Sequence, residues 1–282
     1  MYFYYIFFLS ACFIITLLFI YPRGNTYLQK KETYVYDPLT NVIQGVDGYK
    51  YYIKNDKDYI QSLLVSGEQF NKSLITYIKD IVTTEDIVFI VGAHIGTTAI
   101  PLAGYVNGIH AFEPSPDSYT HLVDNIKLNN LSNIHPYKIA LGCKEDTGYM
   151  LDTQHDRIKT NTGGNHVIVE EDILNKRRSS DLVDTNITIK VTTLDIFCGK
   201  HDIQRIDVLI IDIEGMEEDF LVGAINSLRR YQPRMIICEV WNNSKRELEN
   251  MSTSEENIID LFEQLNYVIH ARNNDDIIFV RR

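Results

Sequence analysis

Apolar and polar positions fall into two regimes along the 282 residues. The first covers Tyr2–Tyr21, which carry no charge and hold only Ser10 and Thr16 as clearly polar side chains. Twenty helical residues at about 1.5 Å each span about 30 Å, the thickness of a bilayer core. Tyr2, Tyr4, Tyr5 and Tyr21 sit at the two ends, where amphipathic rings favour the interface, and Pro22 stops the helix. A cleaved leader would want a basic start and a small-residue cleavage site, and neither is present. The pattern therefore predicts a retained, single-pass signal anchor over residues 1–22, followed by a polar stem over 23–57 with turn signals at Asp37-Pro38 and Asp47-Gly48. Arg23, Lys30 and Lys31 after the span favour a cytosolic body, whereas sequons beginning at Asn71, Asn130, Asn186, Asn242 and Asn250 favour a lumenal one, so the side of the membrane stays open.

The second regime alternates strand and helix. Residues 58–81 show helical spacing, with Ile60, Leu63, Leu64, Leu74, Ile75 and Ile78 on one face. Ile87–Val91 is short and wholly apolar, as a buried parallel strand should be. A helix is expected from Thr97 to Tyr105, a strand over Gly108–Phe112, and a helix capped by Ser115 with Pro116 at its first position. Ile134–Leu141 reads as a third strand, and residues 145–188 as polar and irregular. Ile206–Ile211 is the most apolar strand. The helix after it starts with Glu217, Glu218 and Asp219 and ends with Arg229 and Arg230, which suits the helix dipole. Arg234–Val240 is another strand, Thr253 and Glu256 form a capping box for the next helix, and Tyr267–His270 pairs with Ile277–Val280 across Asn273-Asn274-Asp275. This order predicts a doubly wound α/β domain over residues 58–282.

Composition narrows the function. There are 27 Lys and Arg against 38 Asp and Glu, a formal charge of -11, which argues against a general nucleic-acid binder. Four cysteines form no C-x-x-C pair, so a zinc ribbon or thioredoxin-like site is not expected, and the thiols read as free.

In a doubly wound sheet, ligands bind outside the carboxyl ends of the strands. The first such end is Gly92-Ala93-His94-Ile95-Gly96, a G-x-x-x-G turn whose glycines let a ligand approach the backbone. Glu113 follows Gly92 by 21 residues at the tip of the next strand, where an acid accepts the hydroxyls of an adenosine ribose. Together they point to a nucleoside cofactor, either NAD or S-adenosylmethionine. Asp212 and Glu214 end the central strand and could orient a substrate or take its proton; His94 is a second acid/base candidate, and Glu239 reads as structural.

Three segments carry a resemblance: IVFIVGAHIGTTAIPLA, HAFEPSPDSYTHLVDNIKLNN, and VTTLDIF followed by IDVLIIDIEGMEEDFLVGA. In this order and spacing they resemble the FkbM-type methyltransferases, a branch of the class I S-adenosylmethionine-dependent enzymes. The resemblance implies a seven-stranded Rossmann-like sheet with an antiparallel last strand. It also implies O-methylation of a hydroxyl on a carbohydrate or glycan-like acceptor. It assigns Gly92, Ala93 and Gly96 to the cofactor loop, Glu113 to the ribose, and Ala140 to the cofactor through YKIALG. Asp212 and Glu214 fall near the transferred methyl, with Asp195 structural or pocket-lining. The 145–188 segment would cover the cleft and select the acceptor. No ligand spacing in the sequence calls for a metal. Two positions depart from the family pattern: Ile90 stands where the family has an Asp that helps hold the methionine end of the cofactor, and His94 where it has Asn. A catalytically inactive relative is therefore the alternative reading.

Overall fold

A computed structural model describes residues 36–37, 40–152, 162–164, 166–169, 183–248 and 253–282. The expected anchor, residues 23–35 and 38–39 of the stem, and Cys12 lie outside them; the rest of the stretch expected as a stem carries three short strands. Among the described residues no helix is long and apolar enough to cross a membrane.

Residues 34–282 form one compact unit. It opens with a small antiparallel sheet of β1 (Tyr36–Asp37), β2 (Val42–Gln44) and β3 (Lys50–Tyr52). Two helices follow, α1 (Tyr59–Ser66) and α2 (Lys72–Ile81). The single helical run expected over 58–81 is broken because Gly67 adopts φ 79 and closes α1 with a left-handed cap. Then come β4 (Ile87–Val91), the short α3 (Ala99–Leu102) continued by a 3-10 turn over Ala103–Tyr105, β5 (Gly108–Phe112), α4 (Pro116–Leu128) and β6 (Ile134–Tyr137). The strand expected over 134–141 divides here. After β6, the pair β7 (Ala140–Leu141) leaves for another sheet and aligns with Val191 and Thr192.

That other sheet is the main departure from the sequence reading. β8 (Asp146–Asp152), β9 (His166–Val169) and β10 (Val183–Thr192) turn much of the supposedly irregular region into a four-stranded sheet of order β7-β10-β8-β9. Its strands are polar on one side and so lack the long apolar run that marks a doubly buried strand. The remainder is α5 (Leu194–Lys200), β11 (Val208–Ile211), α6 (Glu217–Tyr231), β12 (Met235–Glu239), α7 (Asn243–Leu248), α8 (Glu255–Gln264), β13 (Tyr267–Asn273) and β14 (Asp276–Arg281). Ser254, not Thr253, caps α8 by accepting from the Asn257 amide, while Glu256 turns to Asn243.

The central sheet has the order β13-β14-β12-β11-β4-β5-β6, with β12, β11, β4, β5 and β6 mutually parallel and β14 antiparallel to both of its neighbours, β12 and β13. This is the mostly parallel seven-stranded sheet expected from the sequence. Alternate side chains feed two cores. Val88, Ile90, Ile109, Ala111, Val208 and Ile210 pack on one face, and Phe89, Val91, Phe112, Leu209 and Ile211 on the other. Burial on both faces is why these strands read as continuous apolar runs.

The winding direction reverses at β4. The chain builds outward through β5 and β6, then returns to place β11 on the other flank of β4. The crevice between the ends of β4 and β11 is the switch point of the fold. Here the backbones nearly touch: a Cβ on Gly92, at φ +90, would lie 1.7 Å from the Asp212 carbonyl oxygen. No rotamer relieves a clash between two backbones. Gly92→Ala should therefore destabilise the fold by several-fold more than the usual ~1 kcal/mol of a surface change, or prevent folding. Gly199→Ala, a helical position with open space around it, should be neutral or stabilising by about 0.5–1 kcal/mol. Urea denaturation of the two variants measures the contrast, and equal stability would disprove the close approach.

Candidate active site

A cavity of about 110 Å³ occupies the switch point. Its floor is Val91, Gly92, His94, Phe112, Glu113, Ala140, Asp212 and Glu214, at the carboxyl ends of the central strands. Its roof comes from the second sheet and its connections, with Met150, Thr162, Gly163, Val167 and Val191. The lining thus combines an apolar enclosure with a few carboxylates and backbone groups, the usual make-up of a small-molecule site. Of the 145–188 segment, expected to cover the cleft, Met150 of β8, Thr162, Gly163 and Val167 of β9 line the cavity.

Six of the eight residues named from sequence line this space: Gly92, His94, Glu113, Ala140, Asp212 and Glu214. Two do not. Ala93 is buried in the core beneath the loop, and Gly96, at φ +94, is there for packing, since a Cβ would meet Leu122 and Ile100 at 2.8 and 2.9 Å. Ile90 is 1% exposed and belongs to the core on the far face of β4, so no acid enters the cavity from this position. Asp195 is structural: it accepts from the Asn226 and Ser227 amides and joins α5 to α6.

Glu113 ties two loops together. One oxygen accepts from the His94 amide at 2.8 Å and the other from the Ser115 amide at 2.8 Å. Burial raises its pKa to about 7, against the opposing pull of these two bonds. Each carboxylate oxygen can accept a second bond, so the group retains capacity for two hydroxyls. That donor-poor, acceptor-rich tip beside a glycine turn fits the ribose of a nucleoside cofactor.

Asp212 and Glu214 do not stand alone. Glu239, at the end of β12, brings an oxygen within 4.8 Å of both. Burial first, then the charges of Glu239 and Glu214, push the Asp212 carboxyl well above the ordinary range. Burial also raises Glu239, whose Oε2 accepts from the Trp241 indole N–H at 3.0 Å. Asp212 and Glu239 are thus both pushed toward the neutral form, and the spacing of the three acids could hold a divalent cation. Glu239 is the residue sequence reasoning undervalued. Its position after a strand was visible, but its meeting with Asp212 depends on β11 and β12 being neighbours.

The acid pattern continues below the site. Glu217 is wholly buried, accepts from the Gly215 amide at 2.8 Å, and lies 3.6 Å from the equally buried Arg246 guanidinium. Burial raises the Glu217 pKa to about 7. Among the thiols, Cys143 borders the cavity, Cys198 and Cys238 are buried, and all three are free.

A model of the methyltransferase FkbM domain matches residues 91–269. Methyltransferase 1 of Beauveria bassiana is 30% identical over 125 residues, covering 41% of this chain and 48% of that protein. The chain thus spans about half the length of this relative. The hexuronic acid methyltransferase AglP of Haloferax volcanii is 22% identical over 227 residues, covering 79% of this chain and 80% of the archaeal one. A solved methyltransferase FkbM from Methylobacillus flagellatus superposes with a TM-score of 0.45 at 16% identity, over 70% of this chain and 44% of that one.

Buried carboxyls with raised pKa values make stability depend on pH. Glu113 and Glu217 hold protons in the folded chain up to about pH 7 that the unfolded chain releases near 4.5. Stability therefore falls as pH rises through that window. His94 and His110, both lowered to about 4 chiefly by burial, act in the opposite sense, but only below about pH 6.5. Between pH 6.5 and 8 the carboxyls decide, at roughly 1 kcal/mol each. The melting temperature should drop across this range. Glu217→Gln, which keeps the Gly215 bond through its amide oxygen, should shrink the drop; an unchanged slope would contradict the assignment.

Proposed function

This chain belongs to the methyltransferase FkbM family, and we propose that it transfers a methyl group from S-adenosylmethionine to a hydroxyl of a carbohydrate or glycan-like acceptor. The observation that carries this reading is the cavity at the switch point, where Gly92, Glu113, Asp212 and Glu214 converge, with Glu239 beside the last two. The finer choice of acceptor is supported by the archaeal relative named as a hexuronic acid methyltransferase.

When bound, S-adenosylmethionine supplies an electrophilic methyl on a sulfonium sulfur. Glu113, with two acceptor sites left after its backbone bonds, holds the ribose hydroxyls. Gly92 lets the backbone of the first loop lie against the bound group. Ala140, Leu141 and Met150 enclose the apolar part. Most of the rate comes from fixing the acceptor oxygen near the methyl. Asp212, Glu214 and Glu239 orient the acceptor hydroxyl and take its proton, directly or through water, with the group that ionises most readily serving as base. The alternative of an inactive relative rests on Ile90. Against it stand the retained acids of the cavity, and the core position of Ile90 makes its apolar side chain a packing choice. The apolar run over residues 2–21 supports a membrane tether for this activity.

Titration of the full chain with S-adenosylmethionine, S-adenosylhomocysteine and NAD tests the donor. Binding of the first two without NAD is expected; a folded chain that binds none of them would overturn the reading. The affinity should fall as pH drops below about 7, where Glu113 takes up a proton, and Glu113→Gln should bind more weakly and flatten that dependence. Transfer from a labelled donor to a panel of hydroxylated sugars, hexuronic acids included, identifies the acceptor. Asp212→Asn should lower the turnover by about 10²–10⁴-fold with little change in donor affinity.

A further inference from the structure

Three segments far apart in sequence meet at Thr162. Asp58 is completely buried at the start of α1. Its Oδ1 accepts from the Gln61 amide at 3.1 Å, which is all that capping the helix requires. Its Oδ2 accepts two further bonds from a residue 104 positions away, the Thr162 amide at 2.7 Å and the Thr162 hydroxyl at 2.9 Å. A hydroxyl has one proton, and this one goes to Asp58. The Thr162 oxygen must then accept from its other partner, the His94 Nε2 at 2.9 Å. His94 therefore carries its proton on Nε2, and Nδ1 is left as the ring's acceptor. His94, Thr162 and Gly163 all line the cavity, whereas Asp58 does not.

We propose that Asp58 is a positioning residue of the donor site: through Thr162 it seats the 162–164 turn as one wall of the cavity and sets the His94 tautomer that offers Nδ1 as a hydrogen-bond acceptor to an N–H group of the donor. The proposal rests on reading the cavity as the site for S-adenosylmethionine, whose amino acid end carries such a group. It connects the first loop, through His94 and Thr162, to a carboxylate that lies outside the cavity. It also accounts for a fully buried carboxylate with three donors where a helix cap needs one, since a buried acceptor is costly unless its bonds are made.

Three variants separate positioning from plain support. Thr162→Val removes the hydroxyl and keeps the shape. Thr162→Ser restores it. Asp58→Asn keeps the cap oxygen toward Gln61 and turns an amide toward Thr162. That amide donates to the Thr162 oxygen, whose proton then turns to His94 Nε2 and moves the imidazole proton to Nδ1, but it faces the Thr162 backbone N–H as donor to donor, so this variant also loses stability. Nitrogen-15 NMR of the His94 ring in the unliganded full chain, assigned by its loss in His94→Phe, should show the Nε2–H form in the wild type. A mixture is expected in Thr162→Val, the Nε2–H form again in Thr162→Ser, and the Nδ1–H form in Asp58→Asn. Calorimetry with S-adenosylhomocysteine should show binding weakened about tenfold or more in Thr162→Val and Asp58→Asn. Thr162→Ser should return to about wild-type affinity, with the melting temperatures of the two Thr162 variants close to that of the wild type. If Asp58→Asn does not fold, the Thr162 pair carries the test. Equal affinity in all variants, or losses that follow the melting temperature without rescue by Ser, would overturn the role of Asp58. A folded wild type that binds no S-adenosylhomocysteine would instead overturn the donor-site reading, whatever the tautomer.

Discussion

The contact between the first loop and the end of β11 organises the rest of the molecule. With Gly92 at φ +90 and the Asp212 carbonyl where a Cβ would stand, the two backbones run closer than any side chain allows. That proximity follows from the winding of the sheet, which makes β11 the neighbour of β4 although about 120 residues separate them. It puts the glycine turn and the acid-bearing strand end on the same rim. Two further acids are placed relative to that rim: Glu113 from the next strand on one side, Glu239 from the next strand on the other.

The acids at this rim are held at a cost. Asp212, Glu239, Glu217 and Glu113 are all pushed toward the neutral form, mainly by burial. Such crowding is a poor way to stabilise a fold and a direct way to tune proton affinity. The surrounding structure meets part of the cost with backbone amides, an indole N–H and one buried guanidinium. A group able to accept a proton near neutrality suits the removal of a proton from an attacking hydroxyl.

The roof is a different kind of structure. The central sheet is buried on both faces and its strands are apolar throughout, so they declare themselves by composition. The second sheet is held by side chains on particular residues, among them the Asp58–Thr162–His94 chain and the pairing of Ala140–Leu141 with β10. It closes the cavity without contributing a long apolar signature of its own. The small N-terminal sheet is similar: Asn125 and Asn129 of α4 bind the backbone of Tyr52 and Lys50, which draws residues 42–52 into the same compact unit.

Sequence alone determined the elements whose local pattern and burial agree. The apolar runs of β4, β5, β11 and β12, the capped helix after Ser115, the charge-ordered helix after Gly215 and the final hairpin were all legible, as were Gly92, Glu113, Asp212 and Glu214 as ends of strands. The physical reason is that a doubly buried parallel strand has to be apolar along its length, and its ligand groups have to follow it directly. Only the tertiary structure decided the division of 134–141 between two sheets, the pairing of β8, β9 and β10 in a second sheet, the entry of Glu239 into the carboxylate trio and the reach of Asp58 to Thr162. Each of these depends on which distant strand becomes a neighbour, and a hydrogen bond between residues 104 positions apart leaves no periodicity in the sequence to read.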